Sequence, residues 1–365
     1  MEFDEEITQM YENLNEMGEE QILQIRQRIR NQDEEEEIEE NRITILKCQR
    51  LNKYILFHNM CRFTFDQFDD IWNQLKDHMP ESRYKGRRYK LLTKKDHLFM
   101  LITYLSHGCS YKALEKQFGM DKSWICRLIH RLLLHLHPFF EKQFITPVDF
   151  DYEKNMHTCP DFPDVVGAID VTTIKIEKPS RNWKEYYSYK HSYHCFKAQL
   201  FVTLRGRVID IVSGIKGAVH DITIAKQSKL EQMVKTNDPN FSYGFLCDRG
   251  YVGLQHKIPS AVICKKKPRG RQLSEEDQLF NKKLSYHRQI VENFFGRLKS
   301  KYQILNKLYR YDHKYFVPMF NICCALTNKN FEYQPLRRHP IISYDEHYRI
   351  INMARNEDIE IEMEN

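Results

Sequence analysis

The sequence predicts an α/β domain built on a mixed sheet flanked by helices, preceded by an all-helical domain. Three observations predict it. Apolar residues recur at helical spacing between residues 60 and 145, short apolar or alternating runs take over from Val165, and a long amphipathic stretch begins near Lys283. The 365 residues suffice for two domains with a core of ordinary size. The expected divisions are an acidic tail over 1–46, a helical domain over 47–145, a linker over 146–163, the α/β domain over 164–335 and a C-terminal tail over 336–365.

The tail comprises a candidate helix from Ile7 to Arg30 and an acid tract from Asp33 to Glu40, whose like charges repel and oppose folding. It serves either as a mobile polyanion competing for the basic body or as a solubilising tail. In FTFDQFDDIWNQL, Phe65, Phe68, Ile71, Trp72 and Leu75 fall at helical spacing. LLTKKDHLFMLITYLSHG is a second helix, with Thr93 as cap and Gly108 as stop. Ser110 caps SYKALEKQFG, Gly119 ends it, and Asp121 caps MDKSWICRLIHRLLLHL. Two helices joined by a short Gly-containing turn have the form of a helix-turn-helix. Its second helix would present Lys122, Ser123, Arg127 and Arg131 opposite Ile125, Leu128, Ile129 and Leu132. An ordinary helical bundle with a solvated basic face has the same grammar.

Pro147, Pro160 and Pro163 mark the linker. VVGAID is a strand ending on Asp170, and CFKAQLFVTL alternates, with Phe196, Ala198, Leu200, Val202 and Leu204 on one side. Arg205-Gly206 turns the chain into RVIDIVSGI, DITIAKQSKLEQMV is helical, GFLCD is a strand ending on Asp248, and AVICKK is a further strand. Hairpin strands, helix, strand and helix in that order make a mixed sheet.

Charge is segregated. Residues 1–40 hold 15 acidic and 3 basic side chains, whereas residues 41–355 hold 53 Lys and Arg against 30 Asp and Glu, a balance of about +23. A body this basic favours a polyanionic partner, and double-stranded DNA is the expected one. The ten cysteines form no C-x-x-C pair and no zinc spacing, which points to a reducing compartment. The first 30 residues lack a signal-peptide core and no run approaches 18 apolar residues, so neither secretion nor a membrane span is expected. A nuclear or cytosolic location follows, with Arg83–Lys90 and Lys265-Lys266-Lys267-Pro268-Arg269 as import signals or plain basic loops.

Asp170 and Asp248 each close an apolar strand, where ligands of open α/β sheets collect. Glu292 lies on an amphipathic helix whose apolar stripe is Val291, Phe295, Leu298 and Tyr302, and Arg288 and Lys299 lie within roughly 40° of it around the axis. Three acids gathered at one place repel unless cations balance them, and divalent metal ions are the common device for cutting phosphodiesters. Singly, each Asp reads equally as a turn residue and Glu292 as an i,i+4 partner of Arg288. Asp221 is either a fourth ligand or the N-cap of DITIAKQSKL. Thr172, Thr173, Lys175, Lys190, His191, His194 and His220 are candidates to line the site or touch phosphate, and Trp183 with Tyr186, Tyr187, Tyr189 and Tyr193 either stack on unpaired bases or simply pack.

The segments VVGAIDVTTIKI, YYSYKHSYHCFKAQLFV, GRVIDIVSGIKGAVHDITI, FLCDRGY and HRQIVENFFGRLKSKYQIL resemble the PIF/Harbinger superfamily of DDE transposases, including its domesticated nucleases, over about residues 160–310. The last segment is the most specific, placing Arg288, Glu292 and Lys299 at the family's arginine–glutamate–lysine spacing. The resemblance implies an RNase H-like catalytic domain, with Asp170, Asp248 and Glu292 as catalytic, metal-binding triad, Asp221 as a recurrent aspartate, and two Mg²⁺ or Mn²⁺ ions. It also implies a homo-oligomer working on DNA and a separate Myb-like accessory protein. Val171 and Thr173 stand where the family has Gly and His, and Arg249 where it has a small residue. The expected reaction is phosphodiester hydrolysis at transposon ends followed by joining of the 3′-OH to target DNA. The alternatives are a domesticated DNA-binding protein that does not cut and a host nuclease acting on RNA.

Overall fold

A computed structural model describes residues 43–81 and 92–353, apart from 237, 239–240, 268–269, 271 and 338–339. The tail helix, the acid tract and the run Arg83–Lys90 lie outside the described residues. The helices are α1 Ile45–Arg50, α2 Tyr54–Cys61, α3 Phe65–Leu75, α4 Lys94–His107, α5 Tyr111–Phe118, α6 Lys122–Phe144, α7 Phe150–Met156, α8 Trp183–Tyr186, α9 Asp221–Gln227, α10 Leu230–Val234, α11 Glu275–Lys301 and α12 Phe316–Tyr333. The strands are β1 Val165–Lys175, β2 Tyr187–Ser188, β3 Tyr193–Thr203, β4 Val208–Lys216, β5 Gly244–Cys247 and β6 Ala261–Ile263.

The chain divides into two compact units, one holding 1–53 and 109–127, the other 54–108 and 128–365. This division cuts the helical region at different places from the sequence boundaries at 47, 145 and 163. In the first unit, Ser110 accepts from the Ala113 N–H to start α5, Gly119 ends it in the left-handed region at φ +61°, and Asp121 accepts from the Ser123 and Trp124 N–H groups to start α6.

The second unit carries the sheet. β3 is its hub, antiparallel to β1 on one side and to β4 on the other, with two-residue β2 pairing the start of β3. β5 runs parallel to β1 and β6 parallel to β5. A mixed α/β sheet with flanking helices of this kind fits a nuclease-like domain. From Cys195 to Thr203, β3 is buried on both faces, not on one, which its alternating apolar pattern did not indicate. On one face Ile169, Phe201, Phe245 and Tyr251 build a core with Ala225 of α9, Leu230 of α10 and Phe150 of α7. On the other, Phe316 of α12 stacks on Phe196 at 4.3 Å, and Leu284, Ile290, Val291, Phe294 and Leu298 are the buried apolar residues of α11. Phe294, not Phe295, completes that stripe.

Several boundaries move. β1 does not stop at Asp170, because Val171, Thr172, Thr173 and Ile174 are β-branched and extend the ladder with β3 to Lys175. α11 begins at Glu275, where Ser274 accepts from the Asp277 N–H and three acids fill the first turn. The stretch 146–163 contains α7, capped by Asp149 and pinned by Phe150 against Phe201 and Tyr243. DITIAKQSKLEQMV breaks at Ser228, whose hydroxyl accepts from the Leu230 N–H and starts α10 afresh.

α4 is buried around its whole circumference from Asp96 to Ser106, so its end must be closed inside the fold. Gly108 does this in the left-handed region at φ +53°, and Lys307 donates to the carbonyls of His107 and Gly108. A Cβ on Gly108 would stand 2.7 Å from the Ile304 Cα. Gly108→Ala is expected to lower unfolding free energy by roughly 1–3 kcal/mol in urea titration. Gly296→Ala, where a Cβ meets nothing within 4 Å on a helix, is expected to raise it by about 0.5–1 kcal/mol. Equal effects at the two positions would contradict the close approach at Gly108.

Candidate active site

The parallel pairing of β1 with β5 sets Gly167 against Phe245 and Ala168 against Leu246. Carrying that register two residues on places Asp170 beside Asp248, with both side chains on the face that α11 covers. β5 ends at Cys247, so Asp248 leaves the ladder where Asp170 still sits within β1. The Asp248 carboxylate accepts from the Arg249 N–H at 2.6 Å and opens a 3₁₀ turn over Arg249–Tyr251.

Asp170 Oδ1 accepts from the Val171 N–H at 2.7 Å, and Oδ2 accepts from Arg288 Nη1 at 3.0 Å. The second terminal nitrogen of Arg288 donates to Glu292 Oε1 at 2.6 Å. Arg288 is 12% exposed and Glu292 51%, so the guanidinium lies inside and Glu292 at the mouth. Burial pushes the Asp170 carboxyl up to about 6, against the pull of the Val171 N–H and Arg288 and with the help of negative charge on Asp248 and Glu292. The three acids therefore share one electrostatic neighbourhood. Cys264, just past β6, is held in its thiol form by burial and by Asp248.

Among the described residues no three His, Cys, Asp or Glu side chains are arranged to hold a metal ion. The sequence leads one to expect Arg288 beside a cradle of acids; here it bridges two of them. The donors are nevertheless all carboxylate oxygens, the set that hard divalent cations take. Asp170, raised by burial and like charge, is a group that a cation would relieve. The donor chemistry fits such an ion at Asp170, Asp248 and Glu292.

Asp221 is the first residue of α9, not its cap; His220 holds the cap position without a side-chain hydrogen bond. Asp221 instead accepts from Lys197 Nζ at 2.9 Å, and Lys197 also donates to the Val219 carbonyl. Lys197 is paired across β1–β3 with Thr173, so this couple lies on the face opposite Asp170. Tyr251 is buried near both groups: its phenol is raised by burial and by Asp170, Asp221 and Asp248, and its hydroxyl lies 3.5 Å from Gln199 Oε1. Lys197, Gln199 and Tyr251 escaped the sequence reading. Their only signal was a lysine and a glutamine two residues apart within an otherwise apolar strand.

Lys299 Nζ donates to the Thr173 carbonyl at 3.3 Å, and burial lowers its pKa. Lys190 is exposed, 3.9 Å from Asp221, and Thr173 Oγ lies 2.8 Å from the Tyr193 hydroxyl. Thr172 is buried, while Lys175, His191 and His220 are exposed. On α6, Lys122 and Arg127 are exposed, but Arg131 is half-buried and donates to the Glu81 carbonyl, which removes it from a free basic face.

Residues 169–328 match the family described as DDE superfamily endonuclease. Over 280 residues the chain is 28% identical to a probable transposase for insertion sequence element IS702 from Microchaete diplosiphon, covering 76% of this chain and 93% of that protein. No solved structure matches the chain. The endonuclease domain and the transposase similarity together support a transposase or nuclease function.

The raised Asp170 has a measurable consequence. An unfolded aspartate titrates near 3.9, so the folded state holds the proton more tightly and loses stability as pH rises from about 4 through about 6. In EDTA, the stability of Asp170→Asn relative to wild type is expected to grow by about 2–3 kcal/mol between pH 4 and pH 7 in denaturant titrations. A pH-independent difference would contradict the burial of this charge.

Proposed function

We propose that the protein is a divalent-metal-dependent DNA endonuclease of the DDE transposase type, with an RNase H-like catalytic domain of the PIF/Harbinger group. The observation that carries this reading is the parallel pairing of β1 with β5, which directs Asp170 and the Asp248 that follows β5 to the same end of the sheet, with Glu292 tied to Asp170 through Arg288. Leaving aside two-residue β2, the acids lie on the first strand, after the fourth, and on a late helix, the order the resemblance implies.

Asp170, Asp248 and Glu292 would hold the metal, Mg²⁺ or Mn²⁺. When bound, such an ion supplies Lewis-acid polarisation of phosphoryl oxygen and acidifies water. Arg288 then has a second task, because a guanidinium that turns from carboxylate to phosphate meets the same two-oxygen geometry. Lys299, anchored on the Thr173 carbonyl, sits on the same helix about three turns later and offers a second positive charge to non-bridging oxygens. Asp221 serves as the partner of Lys197 in this reading. Lys122 and Arg127 on α6 supply phosphate contacts to duplex DNA through the helix-turn-helix. The second reading is a DNA-binding protein that does not cut. The Arg288 bridge, which occupies Asp170 and Glu292 together, is the observation that favours it.

Nicking of supercoiled plasmid separates the two. Wild type is expected to nick with Mg²⁺ or Mn²⁺ and not with EDTA. Asp170→Ala and Glu292→Ala are each expected to lose at least about a hundredfold in rate, about 2.7 kcal/mol of barrier. Variants that nick as well as the parent would remove the catalytic assignment.

Binding is tested separately by the salt dependence of affinity for duplex DNA. Lys122→Ala with Arg127→Ala is expected to make the slope of log affinity against log salt shallower by about 1 to 2. An unchanged slope would take α6 out of the DNA interface.

A further inference from the structure

The hairpin between β1 and β3 carries an aromatic and basic surface that the catalytic reading does not use. From Trp183 to His194 the rings form a continuous series. Trp183 meets His194 edge-on at 5.9 Å, His194 meets Tyr187 at 5.2 Å, and Tyr187 meets Tyr189 at 5.1 Å. The two-residue ladder of β2 on β3 fixes this series, pairing Tyr187 with His194 and Ser188 with Tyr193. Asn182 and Ser192 bracket it with φ of +52° and +59°, a conformation that non-glycine residues seldom hold unless the surroundings impose it.

The series ends in solvent. Tyr189 is 82% exposed and Trp183 39%, unusual for rings so fixed at their edges. Cations surround them: Lys178 stands 4.7 Å and Lys184 5.8 Å from the Trp183 ring, and Lys190 follows Tyr189 in sequence. The nearby Glu185 is already paired with Lys216. Fixed, exposed ring faces among lysines are how proteins hold bases that have left a duplex, because every base has a π-face and every linkage a charge.

This surface meets the sheet on the face that carries Lys197 and Asp221, opposite Asp170. Tyr193, beside the series, touches Thr173, whose carbonyl takes Lys299, and Lys190 reaches toward Asp221. Thr173 lies three residues, roughly 10 Å, along β1 from Asp170. We infer that Trp183 and Tyr189 stack on unpaired bases of a DNA strand running along this end of the sheet, so that the protein takes DNA with an opened end or flank. This rests on the DNA-cutting reading and specifies its substrate.

The test uses the full chain and fluorescence anisotropy with three probes: a single-stranded dT 20-mer, a blunt duplex, and the same duplex with a three-base unpaired tail. Wild type is expected to favour the tailed duplex over the blunt one. Trp183→Ala and Tyr189→Ala are each expected to weaken single-strand and tail binding about tenfold, leaving blunt-duplex affinity unchanged. Trp183→Phe should retain most of the affinity, since it keeps a ring face. Tyr189 is exposed enough that its loss should not disturb folding, checked by an unchanged melting curve. Equal affinities of wild type, Trp183→Ala and Tyr189→Ala for the tailed duplex would overturn the inference while leaving the nuclease reading intact. Tighter binding of a matched single-stranded RNA would overturn it in favour of an RNA surface. A wild-type chain that binds none of the DNA probes and nicks no plasmid would overturn both readings.

Discussion

One half-buried guanidinium organises the centre of this protein. Arg288 reaches from α11 to the sheet and takes one oxygen of Asp170 and one of Glu292. Without it, a largely buried carboxylate on β1 would face the negative charge of Asp248 and Glu292 without the guanidinium that offsets it. Like charges in a place of low solvation cost far more than the same charges at the surface. The arginine offsets the mutual repulsion of these acids. It also ties the helix to the strand, so the position of Glu292 depends on an ion pair as well as on the apolar stripe beneath α11.

The two faces of the sheet divide the labour. The face beneath α11 and α12 carries Asp170, Asp248 and the arginine. The opposite face carries Lys197, Asp221, Gln199 and Tyr251, all buried or half-buried. The second set closes the floor on which the 248–251 turn rests: a Cβ on Gly250 would stand 3.4 Å from an Asp221 oxygen. An aspartate that follows a histidine before a helix looks in sequence like a cap or a ligand. In the structure it answers a buried lysine, because Lys197 needs a counter-charge wherever it is removed from water.

The longer strands, the two stops at Gly108 and Gly119, and the placing of Asp170 on a strand, Asp248 after one and Glu292 on a helix were legible, because each depends on local period or on a residue with a special backbone conformation. The facing of Asp170 and Asp248 was legible as a possibility only; the register that makes it so is set by pairing between distant segments. The extent of β1 past Asp170 was written in its β-branched run and was overlooked because a polar residue looked like an ending. The start of α11 at Ser274 was likewise written in a serine followed by three acids. The i,i+4 pair of Arg288 with Glu292 was legible, but the reach of Arg288 to Asp170, the Lys197–Asp221 couple and the attachment of Arg131 to Glu81 were not. They depend on which side chains meet in space, and an i,i+4 spacing or a basic residue on a helix fits several partners equally.

The pairing of Gly167 with Phe245 also bears on how the chain folds. Hairpins such as β3–β4 close over a few residues, whereas β1 and β5 must find each other across the whole segment between them, and α11 follows later still. Contacts of long sequence separation form slowly. Along the chain the antiparallel strands precede Asp248 and Glu292, so hairpin pairing can begin before the last of the acids is in place.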